Sequence, residues 1–278
     1  MIRHALRITT IFIIIQSLAL FPIAAPFTSE KPTPFETRQA QEISNLFMQR
    51  MEETGNLSRV IDELFVEDFM WRYVHEQKRE MAESNSSATV LFAPGLNCKK
   101  DLLTQATTQD WQRLYVATYN FFYHLMVISL NQTANDLLND KEPAEEVFEK
   151  LLPSNVTLLF DNHPILKNFI EAKGESKAIE TVEEMRGVSE TLEEGLRLLL
   201  EGQDNHTIKP TEETQKLFEK LRQTEFADPM LEISEGESFG YPTGTRMLLA
   251  MTPIFLGLKL VEVNGKQRIL WAEPIAGD

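Results

Sequence analysis

The chain has 278 residues, of which 42 are acidic and 27 are Lys or Arg, so its formal net charge at pH 7 is −15. A charge of that sign repels phosphate backbones and anionic lipid surfaces, which argues against binding to nucleic acid and against attachment to membranes through basic patches. The one cysteine, Cys98, excludes an internal disulfide, so the hydrophobic core has to supply the stability.

The first 25 residues are typical of an export segment. Arg3 and Arg7 give it a positive start, and an apolar run from Ile8 to Ala25 follows. If the segment is cleaved, it is a signal peptide. If it is retained, about 18 apolar residues are just long enough to anchor the chain in a bilayer. We therefore expect an exported protein, periplasmic or extracellular, whose contact with a membrane is limited to this segment.

A proline-rich stretch over residues 26–35 predicts an extended linker between the export segment and the fold. Residues 36–278 are long enough for one large domain, and we expect a single mainly helical domain there. Apolar spacing predicts a helix over 36–54 and a second helix capped by Asn56 or Ser58. A third short helix or bent extension is expected to run to about Met81.

Residues 108–139 form the stretch around which the rest of the chain is organised. Apolar side chains recur there at spacings of three and four for about eight turns, with no Gly or Pro, which predicts a long central helix. Residues 176–201 repeat the same spacing as a narrower seam, which predicts a helix that pairs with another helix. Four shorter elements are also predicted, namely a strand or a buried turn over 90–93, helices over 143–153 and 165–172, and a helix from Thr211 to about Gln223.

The C-terminal stretch changes from helical to strand spacing. Asn264 and Gly265 lie between two β-rich runs, so residues 254–272 are predicted to form an antiparallel hairpin with a two-residue turn. Pairing outward from that turn sets Leu260 against Ile269 and Leu258 against Trp271. Residues 245–251 are expected to add a third strand, whereas residues 232–237 are interpreted as an acidic connector. The predicted fold class is α+β and mainly helical.

Three side chains with polar atoms lie close together in the apolar middle of the central helix. Tyr119, Tyr123 and His124 fall within two turns of each other, so they could line a pocket that binds a ligand or serves an enzyme. A core histidine held by one hydrogen bond is the more ordinary interpretation. Asp161 and His163 are residue types that can bind a metal ion, and an ordered turn could present both to one cation. Such residues before a proline are, however, common in ordinary turns.

The sequence contains no nucleophile, metalloprotease or phosphate-binding motif. We therefore assign no catalytic residue, no metal ligand and no cofactor. Cys98 lies next to two lysines, which could lower the pKa of its thiol, but a loop cysteine near lysines is usually incidental.

Two stretches resemble known families. Residues 37–69, with Phe47-x-x-Arg50-x-x-Glu53-Thr54-Gly55, and residues 259–278, with Arg268-Ile269-Leu270-Trp271-Ala272, resemble a family of exported bacterial proteins with no assigned function. The same two ends are similar to the opening helices and closing strands of the nuclear-transport-factor-2-like fold, a cone of helices against a curved sheet. That fold needs four or more long strands, and the sequence predicts two securely, so its pocket chemistry is not carried over to named residues.

The sequence therefore favours an exported, non-enzymatic protein that binds an unknown partner protein or small ligand. The alternative is a pocket protein or enzyme of the nuclear-transport-factor-2-like kind that uses Tyr119, Tyr123 and His124. The exposure of His124 distinguishes the two, because a catalytic histidine has to reach solvent or substrate.

Overall fold

Helices make up most of the fold, and its main antiparallel sheet lies at the C-terminal end of the chain, as the sequence predicts. A computed structural model describes residues 30–83, 89–93, 96–139, 179–201, 208–223, 228–234, 239–254 and 256–274. These residues group into two compact units, with boundaries after Ser84 and after Leu217, and each unit is described separately. The single domain over 36–278 stays a prediction, because this grouping concerns contacts rather than independent folding.

In chain order the elements are α1 (Pro34–Thr54), α2 (Leu57–Leu64), α3 (Phe69–Glu83), β1 (Thr89–Ala93), β2 (Leu96–Lys99), α4 (Lys100–Gln105), α5 (Thr108–Asn139), α6 (Val182–Glu201), α7 (Glu212–Arg222), β3 (Met230–Ile233), β4 (Arg246–Met251), β5 (Leu256–Val263) and β6 (Lys266–Pro274). None of these helices is long and apolar enough to cross a membrane, and the predicted export segment lies outside the described residues.

The first unit is organised around α5, which has the bounds predicted from its apolar spacing. Thr107 caps this helix, because its Oγ1 accepts a hydrogen bond from Asp110 N (3.2 Å) and the Asp110 carboxylate accepts one from Thr107 N (3.1 Å). α6 packs along α5, and the Asp110 carboxylate also binds Arg186 of α6 at 2.9 Å. The predicted pair of long helices is thus confirmed.

α6 begins at Val182, whereas the sequence predicts a start at Ser176. Ile179 forms an isolated parallel bridge with Cys98, and an extended residue cannot belong to a helix. Thr181 then caps α6, since its Oγ1 accepts a hydrogen bond from a backbone N–H of the first turn at 3.1 Å. Residues 176–178, the predicted helices over 143–153 and 165–172, and Asp161 and His163 lie outside the described residues.

The second unit opens with three helices in the predicted order. α1 begins at Pro34, so the last two residues of the predicted linker 26–35 are helical. The cause is a capping box between Thr33 and Glu36, with proline in the first turn, where its missing N–H costs nothing. Asn56 caps α2 as predicted, with its side chain accepting from a backbone N–H. α3 ends two residues beyond its predicted end.

The main sheet of the second unit has the strand order β3-β4-β5-β6, and all neighbours are antiparallel. α1 and α3 pack on this sheet, and Ser44 Oγ of α1 donates a hydrogen bond to Met251 O at 3.1 Å. β4 confirms the predicted third strand. β3 corrects the interpretation of residues 232–237 as a connector, because Glu232 lies within a strand paired to β4.

The hairpin of β5 and β6 contains a bulge that the sequence does not predict. Pairing near the turn is as expected, with Leu260 opposite Ile269. Further out, Lys259 lies opposite Trp271 and Leu258 lies opposite Ala272, so the predicted pairing of Leu258 with Trp271 is wrong. One extra residue on β6 shifts the register, and a shift of one residue moves every later side chain to the other face. Trp271 therefore shares a face of the sheet with Lys259.

Candidate functional site

The three site residues predicted from the sequence are buried in the first unit. Tyr119, Tyr123 and His124 all belong to α5, and the His124 side chain is 1% exposed. The rings of Tyr123 and His124 meet edge to face, with centroids 5.2 Å apart, and Tyr115 packs against Tyr119 with centroids 4.4 Å apart. These contacts are those of a packed helix interior, and ligand binding by the three residues stays a prediction.

Two other kinds of site, a metal site and a reactive cysteine, are not supported within the described ranges. No group of three or more His, Cys, Asp or Glu side chains there is arranged to hold a metal ion. Cys98 is buried, and this burial raises the pKa of its thiol to about 12. Because the reactive form of cysteine is the thiolate, Cys98 is a poor nucleophile at neutral pH.

A different group of side chains stands out on α3 of the second unit. Phe69, Trp71 and Tyr73 alternate along this helix, and successive helical residues are rotated by about 100°. Phe69 and Tyr73 therefore share one face, and Trp71 lies about 200° from either of them. The structure agrees, because Phe69 and Tyr73 are buried while Trp71 is 57% exposed.

The exposed indole ring of Trp71 is held in place on one side. His75, one turn later on the same helix, stacks on it with a centroid distance of 5.4 Å and an interplanar angle of 25°. His75 contacts one face of the ring, and with 57% of Trp71 exposed the indole remains accessible to solvent. The pair forms a flat aromatic platform on the helix surface.

Arg72 lies beside this platform and is fixed by three contacts. Its Nε donates to Asp68 Oδ1 at 2.8 Å, and its Nη1 donates to the carbonyl oxygen of Phe239 at 2.7 Å. The guanidinium also lies over the ring of Tyr241, 4.5 Å from its centroid. The hydrogen bond from Arg72 holds the pKa of Asp68 below its usual value, so this carboxylate stays charged at neutral pH.

The turn that holds Arg72 has an unusual backbone. Phe239 has φ 57° and Gly240 has φ 74°, both in the left-handed region, where a bulky residue such as Phe is rare. The ring of Phe239 compensates for this by packing edge to face on Trp271, with centroids 4.1 Å apart. A strained residue that persists because its surroundings hold it is a feature of functional sites.

Lys259 lies beneath this turn. Its ammonium binds Glu232 Oε2 at 2.8 Å and lies 4.7 Å from the ring centroid of Phe239 and 5.1 Å from that of Trp271. The ammonium is thus enclosed by one carboxylate and two aromatic faces, and the Lys259 residue is buried. With its charge paired and its surroundings filled, this cluster serves to fix the Phe239 turn to the sheet.

We call Asp68, Trp71, Arg72, His75 and Tyr241 the Trp71 patch. Trp71, Arg72 and His75 lie on one side of α3, and Asp68, just before the helix, pairs with Arg72. Tyr241 joins them through Arg72. Sequence reasoning missed this patch, although the alternation of aromatic residues from Phe69 to Tyr73 is a signal for it. In a helix, that alternation cannot bury all three rings on one side.

No family model matches the chain, and neither a curated protein nor a solved structure matches it. The resemblances of the two ends to the exported bacterial family and to the nuclear-transport-factor-2-like fold therefore stay predictions.

Proposed function

We propose that this chain is an exported, non-enzymatic protein that binds a partner protein through the Trp71 patch. The observation that carries the proposal is the exposure of Trp71, on a helix whose other two aromatic residues near it are buried. A large aromatic side chain left in water forgoes about 1.5–3 kcal/mol of favourable burial. A partner that covers the indole ring would recover that free energy.

The composition and rigidity of the patch support the same function. Tryptophan, tyrosine and arginine are the residues enriched among those that dominate binding energy at protein interfaces, and the patch contains one of each. Arg72 is held by Asp68 and Phe239, so its side chain loses little conformational freedom when a partner binds.

We infer that the partner bound at the Trp71 patch is a protein with a basic surface. The chain carries a net charge of −15, which attracts a basic partner and speeds its encounter. The same charge opposes association with a second copy of the chain and with anionic lipids or nucleic acid. Loss of the first 25 residues would remove Arg3 and Arg7 and lower the net charge from −15 by two, to −17. The attraction to a basic partner would then be stronger.

The alternative, a pocket protein or an enzyme, is not supported by the position of His124, which distinguishes it from the proposed function. It requires the His124 side chain to reach solvent, and this side chain is 1% exposed between packed helical residues. We therefore do not adopt Tyr119, Tyr123 and His124 as the binding site.

The test of the proposed function is site-specific photocrosslinking in cells of the source organism. A photoreactive phenylalanine is introduced at Trp71 or, as a matched control, at Phe35, which is 54% exposed in the same unit. We expect one protein with a basic surface to be crosslinked from Trp71 and not from Phe35. That protein is identified by mass spectrometry and purified, and its affinity for the full chain is measured.

The affinity measurement decides the outcome. Trp71→Ala should weaken binding of the purified partner at least tenfold, because aromatic residues at the centre of an interface contribute about 2 kcal/mol or more. Phe35→Ala should change the affinity less than twofold. Equal effects of the two substitutions, or a crosslinked partner that is acidic, would overturn the proposal.

Export is part of the proposal and has its own test. The N-terminus of protein produced from the full gene is sequenced, and the soluble and membrane fractions are compared. We expect a soluble form that lacks about 25 residues. Retention of Met1 with the protein in the cytoplasmic fraction would contradict export, whereas retention of Met1 in the membrane fraction would identify the segment as an anchor.

A further inference from the structure

Resting on the proposed function, we propose that the Trp71 patch recognises an arginine side chain of the partner. The guanidinium would stack on the open face of the Trp71 ring, and its N–H groups would donate to the carboxylates of Glu67 and Asp68. The arginine guanidinium is thus the chemical group that the basic partner presents to this surface.

The first supporting observation is the geometry of the indole ring. His75 stacks on Trp71 at an interplanar angle of 25°, and 57% of Trp71 is exposed, so the guanidinium is placed on the side of the ring that His75 does not contact. Tryptophan has the aromatic ring that attracts cations most strongly, and a planar cation gains most from a flat, open face. The patch already contains one such contact, since the Arg72 guanidinium lies over the Tyr241 ring.

The second observation is the position of two carboxylates next to that face. Arg72 N donates to Asp68 O at 3.1 Å, so the helical turn extends back to Asp68, and Asp68 lies three residues before Trp71. Glu67 lies in the turn that precedes α3, next to Asp68 in the chain, and both side chains are exposed. Asp68 is therefore a neighbour of Trp71 on the helix surface, and Glu67 adds a second carboxylate next to Asp68.

The two carboxylates differ in how far they are already neutralised. Arg72 binds one oxygen of Asp68, and 50% of the Asp68 side chain remains exposed. Glu67 forms no ion pair within the described part of the chain. The site therefore has one carboxylate charge more than its own Arg72 balances, which is the charge that an incoming cation would satisfy.

Arginine fits this combination better than lysine does. The guanidinium is planar, stacks on aromatic faces and presents a fork of N–H donors that matches a carboxylate. The lysine ammonium is a strongly hydrated point charge, and it cannot stack and bind a carboxylate in two places at once. The patch should therefore distinguish the two basic side chains, which a merely acidic surface would not do.

The experiment titrates the full chain with acetylated, amidated peptides of three arginines or three lysines and follows the indole N–H signals by NMR. Trp111 and Trp271 are buried, so their signals serve as internal controls for Trp71. We expect a saturable shift of the Trp71 signal alone. The arginine peptide should bind at least about three times more tightly than the lysine peptide. This is the gain in affinity expected from one exposed cation–π contact.

A matched pair of variants tests the carboxylate. Glu67→Gln should weaken the arginine peptide two- to threefold, as expected for an exposed ion pair. Glu83→Gln, at the far end of the same helix, removes the same charge and should leave the affinity unchanged. Equal affinity for the two peptides, or equal effects of the two substitutions, would show a general attraction to an acidic protein and would overturn the inference.

Failure of the inference and failure of the proposed function are distinguishable. If a partner is crosslinked from position 71 and Trp71→Ala weakens its binding, the proposed function stands whatever the peptides do. If the arginine peptide then fails to shift the Trp71 signal in a saturable way, the arginine inference alone is refuted.

Discussion

The turn at Gly240 provides a test of how rigidly the Trp71 patch is held. A Cβ atom added at Gly240 would lie 2.6 Å from Arg72 Nη1, which is too close for any real contact. The end of a flexible side chain can move away, so Arg72 would shift and lose its 2.7 Å hydrogen bond to Phe239 O. Gly240→Ala should therefore destabilise the protein beyond the cost of its left-handed backbone.

Gly244 offers the matched control. Its φ of 85° is also left-handed, but an added Cβ there would meet no atom within 4 Å. Both alanine substitutions carry a backbone cost of about 1–2 kcal/mol. A hydrogen bond from a charged donor contributes about 1.5–3 kcal/mol, and the partial exposure of Arg72 lowers this to about 1–2 kcal/mol. We expect a total of about 2–4 kcal/mol for Gly240→Ala and about 1–2 kcal/mol for Gly244→Ala.

The assay is urea denaturation followed by circular dichroism, with each substitution made in the wild-type chain and in an Arg72→Ala background. In the wild type the free energy of unfolding should fall further for Gly240→Ala than for Gly244→Ala. In the Arg72→Ala background the two substitutions should cost the same, because no guanidinium remains to be displaced. Equal costs in the wild type would refute the reasoning that Gly240 is required by Arg72.

Three further predictions concern the core and its ion pairs. Hydrogen bonds from Arg246 lower the pKa of Glu36 to about 2 from an ordinary 4.5, so the stability from this pair is present above pH 4.5 and is lost as the pH falls towards 2. Glu36→Gln should therefore cost about 1–2 kcal/mol at neutral pH, after allowance for the exposure of the pair. In denaturation curves at about pH 2, where the carboxyl is half protonated in the folded state, the cost should be much smaller, and a cost independent of pH would contradict this. Cys98 should react with iodoacetamide slowly in the native protein and quickly in urea, since burial raises its pKa to about 12, and rapid native labelling would show that the thiol is accessible. Trp271→Ala should lower the free energy of unfolding by about 3–5 kcal/mol, because Trp271 packs against Tyr73, Phe239 and Lys259, and an unchanged melting temperature would make this end of the hairpin peripheral.

The elements that the sequence predicts well are those set by local patterns. α5 has its predicted bounds because a long run at helical spacing, a Thr107 cap and the lack of Gly or Pro all agree. The turn of the hairpin is likewise local, since Asn264 and Gly265 both adopt the positive φ that a two-residue turn requires.

The features that the sequence does not predict depend on distant partners. Glu232 looks like part of an acidic connector, yet it lies in a strand because β4 pairs with it and because Lys259 on β5 neutralises its charge. The bulge before Trp271 also lacks a local signal, since no glycine marks it. Its effect is large, because it sets Trp271 beside Lys259 and so builds the base of the Phe239 turn.

The candidate site shows the same division. Tyr119, Tyr123 and His124 are predicted as a site because their polar atoms lie in an apolar helix, but burial by neighbouring residues decides whether such atoms are accessible. The exposure of Trp71 depends on which face of α3 packs on the sheet, and Arg72 is held by a turn about 170 residues later in the chain. Local patterns in the sequence carry no information about contacts between residues that are far apart in the chain.

The most direct test of the central claim is hydroxyl-radical footprinting of the chain alone and in complex with the partner identified by crosslinking. The quantity compared is the oxidation rate of the Trp71 side chain relative to that of Phe35, since both are exposed in the free protein. If the Trp71 patch is the docking surface, Trp71 becomes protected in the complex while Phe35 is oxidised as before. Unchanged oxidation of Trp71 in a fully formed complex would contradict the claim.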